Sequence, residues 1–257
     1  MIDLPHVIPV YKWEGETPLD CIKRLQQAFP YYKDMPMTYA GRLDPMAHGL
    51  LILLAGEECK QKEDYLALDK TYIVDIAFGI STDTHDALGV VEQYFDVQDG
   101  WGNDLDYILQ GFVGKQVQKY PIFSSKTIDG KPLFTYAKEG NIDKITVPEH
   151  EVTIYSLDKE GSYEIFGEML KNKAIERISN MDGDFRQDEC ISSWQAIEIG
   201  NIPIIRLKIK ASSGTYMRQL AHDLGEKIDV PAFAWGIYRQ SVGDSKLLTN
   251  QSKTSIF

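Results

Sequence analysis

Cysteine is scarce in this 257-residue chain, and the three present, Cys21, Cys59 and Cys190, are odd in number and far apart. No Cys-x-x-Cys pair and no histidine at ligand spacing accompanies them, which excludes a disulfide framework and a structural zinc site and leaves inert thiols. The five histidines are equally dispersed, so no metal is expected. Long apolar runs are missing too. The longest, Leu50 to Ala55, falls far short of the roughly 20 residues a bilayer-spanning helix needs, and no basic stretch followed by a hydrophobic one opens the chain. A cytoplasmic protein with no membrane association is expected. There is no Gly-rich phosphate cradle and no nicotinamide fingerprint, so no cofactor is expected, and neither internal repeats nor low-complexity segments occur.

Positive charge is also in deficit. Lys and Arg total 27 against 38 Asp and Glu, a formal net charge of −11. That balance argues against nucleic-acid binding, because neutralising phosphates normally supplies most of the affinity. Distribution qualifies the total. Residues 115–144 carry Lys115, Lys119, Lys126, Lys131, Lys138 and Lys144 against Asp129, Glu139 and Asp143, a local +3, with Tyr120, Phe123, Phe134 and Tyr136 interleaved. This composition suits a surface that grips an RNA backbone and stacks on bases, and equally a solvated hairpin with snorkelling lysines. Residues 158–200 are the opposite pole, with ten acids and five bases.

What is present fits a globular enzyme. A hydrophobic fraction of 43% can fill a core, and residues 1–257 read as a single domain acting as a monomer. Thr17-Pro18-Leu19-Asp20 opens a helix to about Phe29 with Leu19, Ile22 and Leu25 on one side. Tyr72, Val74, Ile76 and Phe78 alternate along a half-buried strand, and Asn103 to Phe112 reads as a short helix. Ile205, Leu207, Ile209 and Ala211 share one strand face, with Arg206, Lys208 and Lys210 on the other. Ser212-Ser213-Gly214 then opens a helix to about Lys227, whose apolar stripe is Tyr216, Met217, Leu220, Ala221 and Leu224, with Arg218 and His222 projecting elsewhere. Helices and strands mix without regular βαβ alternation, which predicts an α+β fold with a mixed, largely antiparallel sheet flanked by helices.

The chemistry concentrates in residues 39–56, Tyr-Ala-Gly-Arg-Leu-Asp-Pro-Met-Ala-His-Gly followed by an apolar strand. Asp44 lies between Gly41 and Pro45, residues that fix a turn cheaply and so aim the carboxylate. Alone, Leu-Asp-Pro reads as an ordinary Asx-type turn. It is followed in order by Gly56-Glu57-Glu58-Cys59-Lys60, Asp69-Lys70-Thr71-Tyr72, Gly79 to Gly89 (Gly-Ile-Ser-Thr-Asp-Thr-His-Asp-Ala-Leu-Gly), Phe123 to Leu133 and Ser212 to Ala221. Together these resemble the motifs of the TruB family, the tRNA pseudouridine(55) synthases. Tyr39 stands where the family usually has a His, and Ser213 where it has a Lys; the opening Asp-Lys-Pro-x-Gly block is reduced to Tyr11-Lys12-Trp13-Glu14-Gly15.

The resemblance implies a pseudouridine synthase fold and isomerisation of a tRNA uridine, uridine 55 of the T-arm, to pseudouridine. It implies Asp44 as the catalytic carboxylate, Arg218 as the arginine that pairs with it, and Tyr72 as the ring that stacks on the flipped base. Tyr39, Arg42, Lys70, Lys126, Lys131 and Tyr216 are then the candidate RNA contacts. Thr82, Asp83 and Asp86 read as a polar turn, and His48 as a phosphate contact or a residue satisfying a local carbonyl. Residues 158–200 have no counterpart in the family pattern and read as an inserted helical hairpin, Glu168 to Asn180 and a second helix ending near Trp194. Its acidity favours a solvent-facing decoration over a lid or contact. Gly-Arg-Leu-Asp also resembles the RluA-type synthases, so a ribosomal RNA or another stem-loop is the alternative substrate. A non-catalytic RNA-binding protein is the alternative of another class.

Overall fold

The computed structural model describes residues 4–98 and 100–246. Its architecture is α+β, with a mixed sheet and flanking helices. Where the sequence reads as one body, the chain divides into two compact units. One comprises the described residues up to Ile73 and from Ile237 onward, the other Val74–Gly236. The chain passes between units inside two strands, Lys70–Phe78 and Ala232–Val242, so no loop composition marks the boundary.

The first unit contains β1 (Val7–Lys12), α1 (Pro18–Ala28), β2 (Met37–Ala40), β3 (Ala47–Ala55), α2 (Lys62–Ala67) and the start of β4 (Lys70–Phe78). The N-terminus of α1 is capped reciprocally: Thr17 Oγ1 accepts the Asp20 N–H at 3.2 Å, and the Asp20 carboxylate accepts the Thr17 N–H at 3.0 Å. Its buried face is Pro18, Cys21, Ile22 and Leu25. Leu19, expected on that face, is 58% exposed, because the i, i+3, i+4, i+7 spacing starts at Pro18. Strand β3 is the spine. It pairs antiparallel with β1 from Leu54 opposite Val7 to Gly49 opposite Lys12, and antiparallel with β2 over Ile52 to Ala55. Leu51, Leu53 and Ala55 pack among Ile8, Val10, Cys21, Ile22 and Leu25, while Leu50, Ile52 and Leu54 pack with Ala40 and Val242. Burial on both faces explains why this run is continuously apolar instead of alternating.

The second unit contains the remainder of β4, then β5 (Ile80–Thr82), β6 (Val91–Tyr94), α3 (Leu105–Gln110), β7 (Gly114–Lys119), β8 (Thr127–Ile128), β9 (Lys131–Pro132) and α4 (Leu133–Lys138). These are followed by β10 (Glu149–Phe166), α5 (Gly167–Ser179), α6 (Gln187–Ala196), β11 (Asn201–Ala211), α7 (Met217–Ile228) and the start of β12 (Ala232–Val242). Strands β4, β11, β10 and β7 lie side by side in that order, with both β10 pairings antiparallel. Val74, Ile76 and Phe78 of β4 are fully buried, as the alternation predicts. On β11 the basic side is partly neutralised, since Arg206 makes two bonds of 2.7 Å to Asp75. Helix α7 starts five residues later than its turn signal, because residues 212–215 form a turn and Tyr216 is the cap. The three cysteines are free thiols, and burial pushes Cys21 up to about 12 and Cys190 to about 11, so both stay protonated.

The acidic 158–200 segment is not helical from its start. β10 continues to Phe166, opposite Asn201 of β11, and the helical hairpin α5–α6 is carried at the end of this ribbon. Nor is the hairpin a solvent-facing decoration. Leu170, Ala174 and Ile178, at i, i+4 and i+8, are fully buried with Cys190 and Trp194. Trp194 lies edge-on to Phe233 at 5.7 Å, and Arg177 donates to the Trp235 carbonyl at 2.8 Å while covering its ring. The acids Glu168, Glu176, Asp188 and Glu189 lie on the outward faces, so charge count hid an apolar inner face. Among the described residues no helix is long and apolar enough to cross a membrane. Trp194→Ala is expected to lower the unfolding free energy by about 3–5 kcal/mol in a denaturant titration. A loss under about 0.5 kcal/mol would return the hairpin to surface decoration.

Candidate active site

Two buried cations shape the turn that carries Asp44. Lys12, fully buried at the end of β1, donates from Nζ to the carbonyls of Ala47 at 2.7 Å, Trp13 at 3.0 Å and Pro45 at 3.4 Å. The Gly15 N–H reaches the same Pro45 carbonyl at 3.0 Å, and the Ala47 N–H closes the turn on the Asp44 carbonyl at 3.0 Å. On the other side of Asp44, the buried Arg239 of β12 donates to the carbonyls of Leu50 at 2.7 Å, Gly41 at 3.0 Å and Arg42 at 3.4 Å. Its seat requires Gly49. A Cβ there would lie 2.4 Å from the Arg239 carbonyl oxygen, and the residue has φ +116°. The backbone is therefore held on both flanks of a half-buried carboxylate. Burial pulls the Lys12 ammonium down to about 8, and the charge of Asp44 is among the groups that counter this.

Of the other residues expected in this unit, Tyr72 is buried on β4 with 8% exposure. Tyr39 and Arg42 are brought together: the Arg42 guanidinium donates to the Tyr39 hydroxyl at 3.2 Å, and Lys62 stands over the Tyr39 ring at 5.4 Å. Lys70 differs from the expectation of an RNA contact. It is buried, its Nζ donates to the carbonyls of Leu66 and Leu68 at the end of α2, and burial together with Arg239 lowers its pKa to about 8. His48 has a further engagement besides the local or phosphate contact expected of it. Its Nδ1 bonds the Tyr11 hydroxyl at 2.6 Å, and its ring stacks on Tyr238 at 5.2 Å.

In the second unit Arg218 is buried on α7, not projecting into solvent. Its Nη1 donates to the Thr84 carbonyl at 2.6 Å, its Nη2 to the Phe123 carbonyl at 3.3 Å, and its Nε lies 3.7 Å from the Asp86 carboxylate. Asp86 in turn accepts from Thr84 Oγ1 at 2.7 Å and the Leu88 N–H at 2.9 Å, while Thr82 Oγ1 donates to its carbonyl at 2.7 Å. Gly89 closes this turn, where a Cβ would meet Thr84 Oγ1 at 2.5 Å. The polar turn thus holds the arginine. Tyr216 is set by Gln118, whose side chain accepts the Tyr216 N–H at 2.8 Å and donates to its carbonyl at 3.1 Å; its ring stands edge-on to Tyr120 at 5.7 Å.

The basic segment is less exposed electrostatically than its composition implies. Lys115 pairs with Glu151 at 3.0 Å, Lys131 with Glu139, and Lys138 with Asp184 at 2.9 Å. Lys126 lies over the Tyr120 ring at 4.9 Å, and Lys131 over Tyr136 at 4.6 Å. Lys12, Arg239, Thr84 and Asp86 are the site residues that motif reading left out. Lys12, Thr84 and Asp86 lay inside quoted blocks, whereas Arg239 carries no local signal. Among the described residues no group of three or more His, Cys, Asp or Glu is placed to hold a metal ion.

Comparisons with known proteins bear on the family and the fold. The sequence model described as TruB family pseudouridylate synthase (N terminal domain) matches residues 31–166. A tRNA pseudouridine synthase B of Borreliella burgdorferi (strain ZS7) is 29% identical over 252 residues, covering 96% of this chain and 74% of that protein. The tRNA pseudouridine synthase B of Listeria monocytogenes serotype 4b (strain F2365) is 29% identical over 226 residues, covering 88% of this chain and 62% of that protein. Among solved structures, a Cbf5-Nop10-Gar1 complex superposes with TM-score 0.56 at 16% identity, covering 93% of this chain and 49% of that chain. An H/ACA RNP bound to a substrate RNA containing 2′-deoxyuridine gives TM-score 0.53 at 14% identity, covering 93% of this chain and 48% of that chain. The structural likeness is one of fold, and the chain spans about half the length of those solved chains. Fold and sequence together define a pseudouridylate synthase, an isomerase of RNA uridine. The chain belongs to the TruB family of these enzymes.

One titration follows from the Arg218 turn. His85 adopts φ 60° and stacks face to face on His222 at 4.0 Å, and burial, His222 and Arg218 push its pKa from 6.5 down to about 3. Between those values the unfolded chain binds a proton that the folded chain does not, so stability falls as pH drops through this window. His85→Asn, which tolerates the left-handed backbone, is expected to flatten the pH dependence of the unfolding free energy between pH 6.5 and about 3. An unchanged slope would refute the assignment.

Proposed function

We propose that this chain converts uridine 55 in the T-arm of tRNA to pseudouridine, in the cytoplasm, with Asp44 as the catalytic carboxylate. The carrying observation is the pair of buried cations, Lys12 and Arg239, bonded to backbone carbonyls on both sides of Asp44. Burying a cation is costly, and a plain surface turn has no use for two. The relatives named tRNA pseudouridine synthase B favour tRNA over the ribosomal RNA alternative.

In the reaction the N1–C1′ bond of uridine breaks, the uracil turns, and C5 bonds to C1′. The C5 proton passes to solvent and N1 acquires one, so there is no redox change and no external group. A carboxylate suits this chemistry because it can attack a carbon or steady positive charge developing at the sugar. The target base leaves its stack at a cost of a few kcal/mol, and a ring such as Tyr72 offsets about 1–3 kcal/mol by stacking. The counter-charge role falls to Arg218, which the Asp86 turn holds ready. Tyr39 with Arg42, Lys126, Lys131 and Tyr216 are assigned to gripping the RNA. Lys70, bonded to Leu66 and Leu68, supports the strand that presents Tyr72.

The test is tritium release from 5-tritiated uridine in an unmodified tRNA transcript, with the product position mapped. Wild type is expected to release at one T-arm uridine. Asp44→Asn should release nothing while RNA affinity stays within a few-fold, and Arg218→Ala should be nearly as damaged. Normal turnover by Asp44→Asn would overturn the assignment, and release from ribosomal RNA transcripts alone would overturn the substrate. In the same assay Lys12→Met, which removes the ammonium from Pro45 and Ala47, is expected to slow turnover roughly tenfold to a hundredfold at unchanged RNA affinity, because the carboxylate loses its aim. Wild-type turnover by Lys12→Met would show that the clamp is dispensable.

A further inference from the structure

We infer that Arg186, contributed by the acidic helical hairpin, is a positioning residue for Arg218. This rests on the reading that Arg218 serves the reaction. Arg186 precedes α6 with a left-handed backbone, φ 59°, a conformation that non-glycine residues adopt only where surroundings demand it. Its side chain is 18% exposed and reaches in two directions at once. Nη1 pairs with the Asp83 carboxylate at 2.8 Å, and the guanidinium plane covers the Phe123 ring at 4.2 Å.

These two contacts fall on the two segments that hold Arg218. Asp83 adjoins Thr84, whose carbonyl accepts Arg218 Nη1, and the carbonyl of Phe123 itself accepts Arg218 Nη2. The two carbonyls come from different parts of the chain, and Arg186 bridges Phe123, which carries one, and Asp83, the neighbour of Thr84, which carries the other. The remainder of the hairpin reinforces the first segment: Cys190 Sγ contacts the Leu88 carbonyl at 3.8 Å, and Ser193 Oγ accepts the Val91 N–H at 3.0 Å. Asp83 is itself pinned, since its other oxygen accepts the Val90 N–H at 2.9 Å. Burial works against the charge of Arg186, but its bond to Asp83 and the charges of Asp83, Cys190 and Glu189 together raise its pKa. An arginine that couples two backbone acceptors fixes the angle of the fork they receive, and such angles control rate more than binding.

The test compares wild type, Arg186→Lys, Arg186→Ala, Arg218→Ala, Arg218→Lys and the double variant of Arg186→Ala with Arg218→Lys in single-turnover tritium release at saturating tRNA, beside tRNA affinity by filter binding. Arg186→Ala is expected to lower turnover about tenfold with affinity within about twofold. Arg186→Lys keeps the charge on Asp83 but loses the planar stack, so it should retain an intermediate rate; it is also the deciding variant if Arg186→Ala does not fold. Combined with Arg218→Lys, Arg186→Ala should cost less than the product of the two single losses, because both act through one guanidinium. Wild-type turnover in Arg186→Lys and Arg186→Ala, or in Arg186→Lys alone should Arg186→Ala not fold, beside an inactive Arg218→Ala would overturn the inference and leave the reading of Arg218 standing. Strictly multiplicative losses would overturn it in the same way. Loss of affinity with saturating turnover intact would make Arg186 an RNA contact instead. Normal turnover by Arg218→Ala would remove the underlying reading itself.

Discussion

The structure depends on cations that bond to backbone carbonyls inside protein. Lys12 and Arg239 are buried, and their donors go to peptide oxygens of the turn around Asp44 and of β3. Such bonds are charge-assisted and directional, and they lock main-chain atoms instead of a mobile side chain. The consequence is a carboxylate whose position is inherited from the rigid β1–β3–β12 framework. The requirement propagates outward: the Arg239 seat forbids any side chain at Gly49, and Lys12 ends a strand whose Ile8 and Val10 pack in one core with Cys21, Ile22 and Leu25 of α1 and Leu51 and Leu53 of β3.

The same device recurs around Arg218 with an acid added. Two carbonyls and Asp86 receive the guanidinium, and Asp86 is organised by Thr84 and the Leu88 N–H. A charged group in a dry setting keeps its charge only when its hydrogen-bonding capacity is met. This accounts for the crowding of Thr82, Asp83, Thr84 and Asp86 into one turn, closed at a glycine that leaves no room for Cβ. Aromatic rings complete the arrangement, with Phe123 beneath Arg186 and His85 against His222.

The net charge of −11 is reconciled with an RNA-modifying family by where the acids lie. Residues 158–200, with ten acids against five bases, hold nearly half of that net charge, and the acids of their α5–α6 hairpin face outward, away from Leu170, Ala174, Ile178 and Trp194. Several lysines of the basic segment are in turn engaged with acids or rings, so the local surplus acts over a shorter range than composition suggests.

Local signals in the sequence determined a great deal. The α1 cap, the apolar strand that became β3, the alternation in β4, the helices of the hairpin and the Gly/Pro-framed turn at Asp44 were all legible, because each depends on residues close together along the chain. Resemblance to family motifs singled out Asp44, Tyr72 and Arg218 as the candidates. Tertiary structure alone decided the rest. The two-unit division was invisible because the chain crosses within strands, and Arg239 was invisible because its carbonyl partners lie nearly two hundred residues earlier. Lys70 turned inward and Leu19 outward because burial is set by what packs opposite, and Arg186 acquired its partners only when a distant hairpin folded back onto the Asp83 turn. Spacing encodes what neighbours do to one another, whereas the partners of a buried charge are chosen by the whole fold.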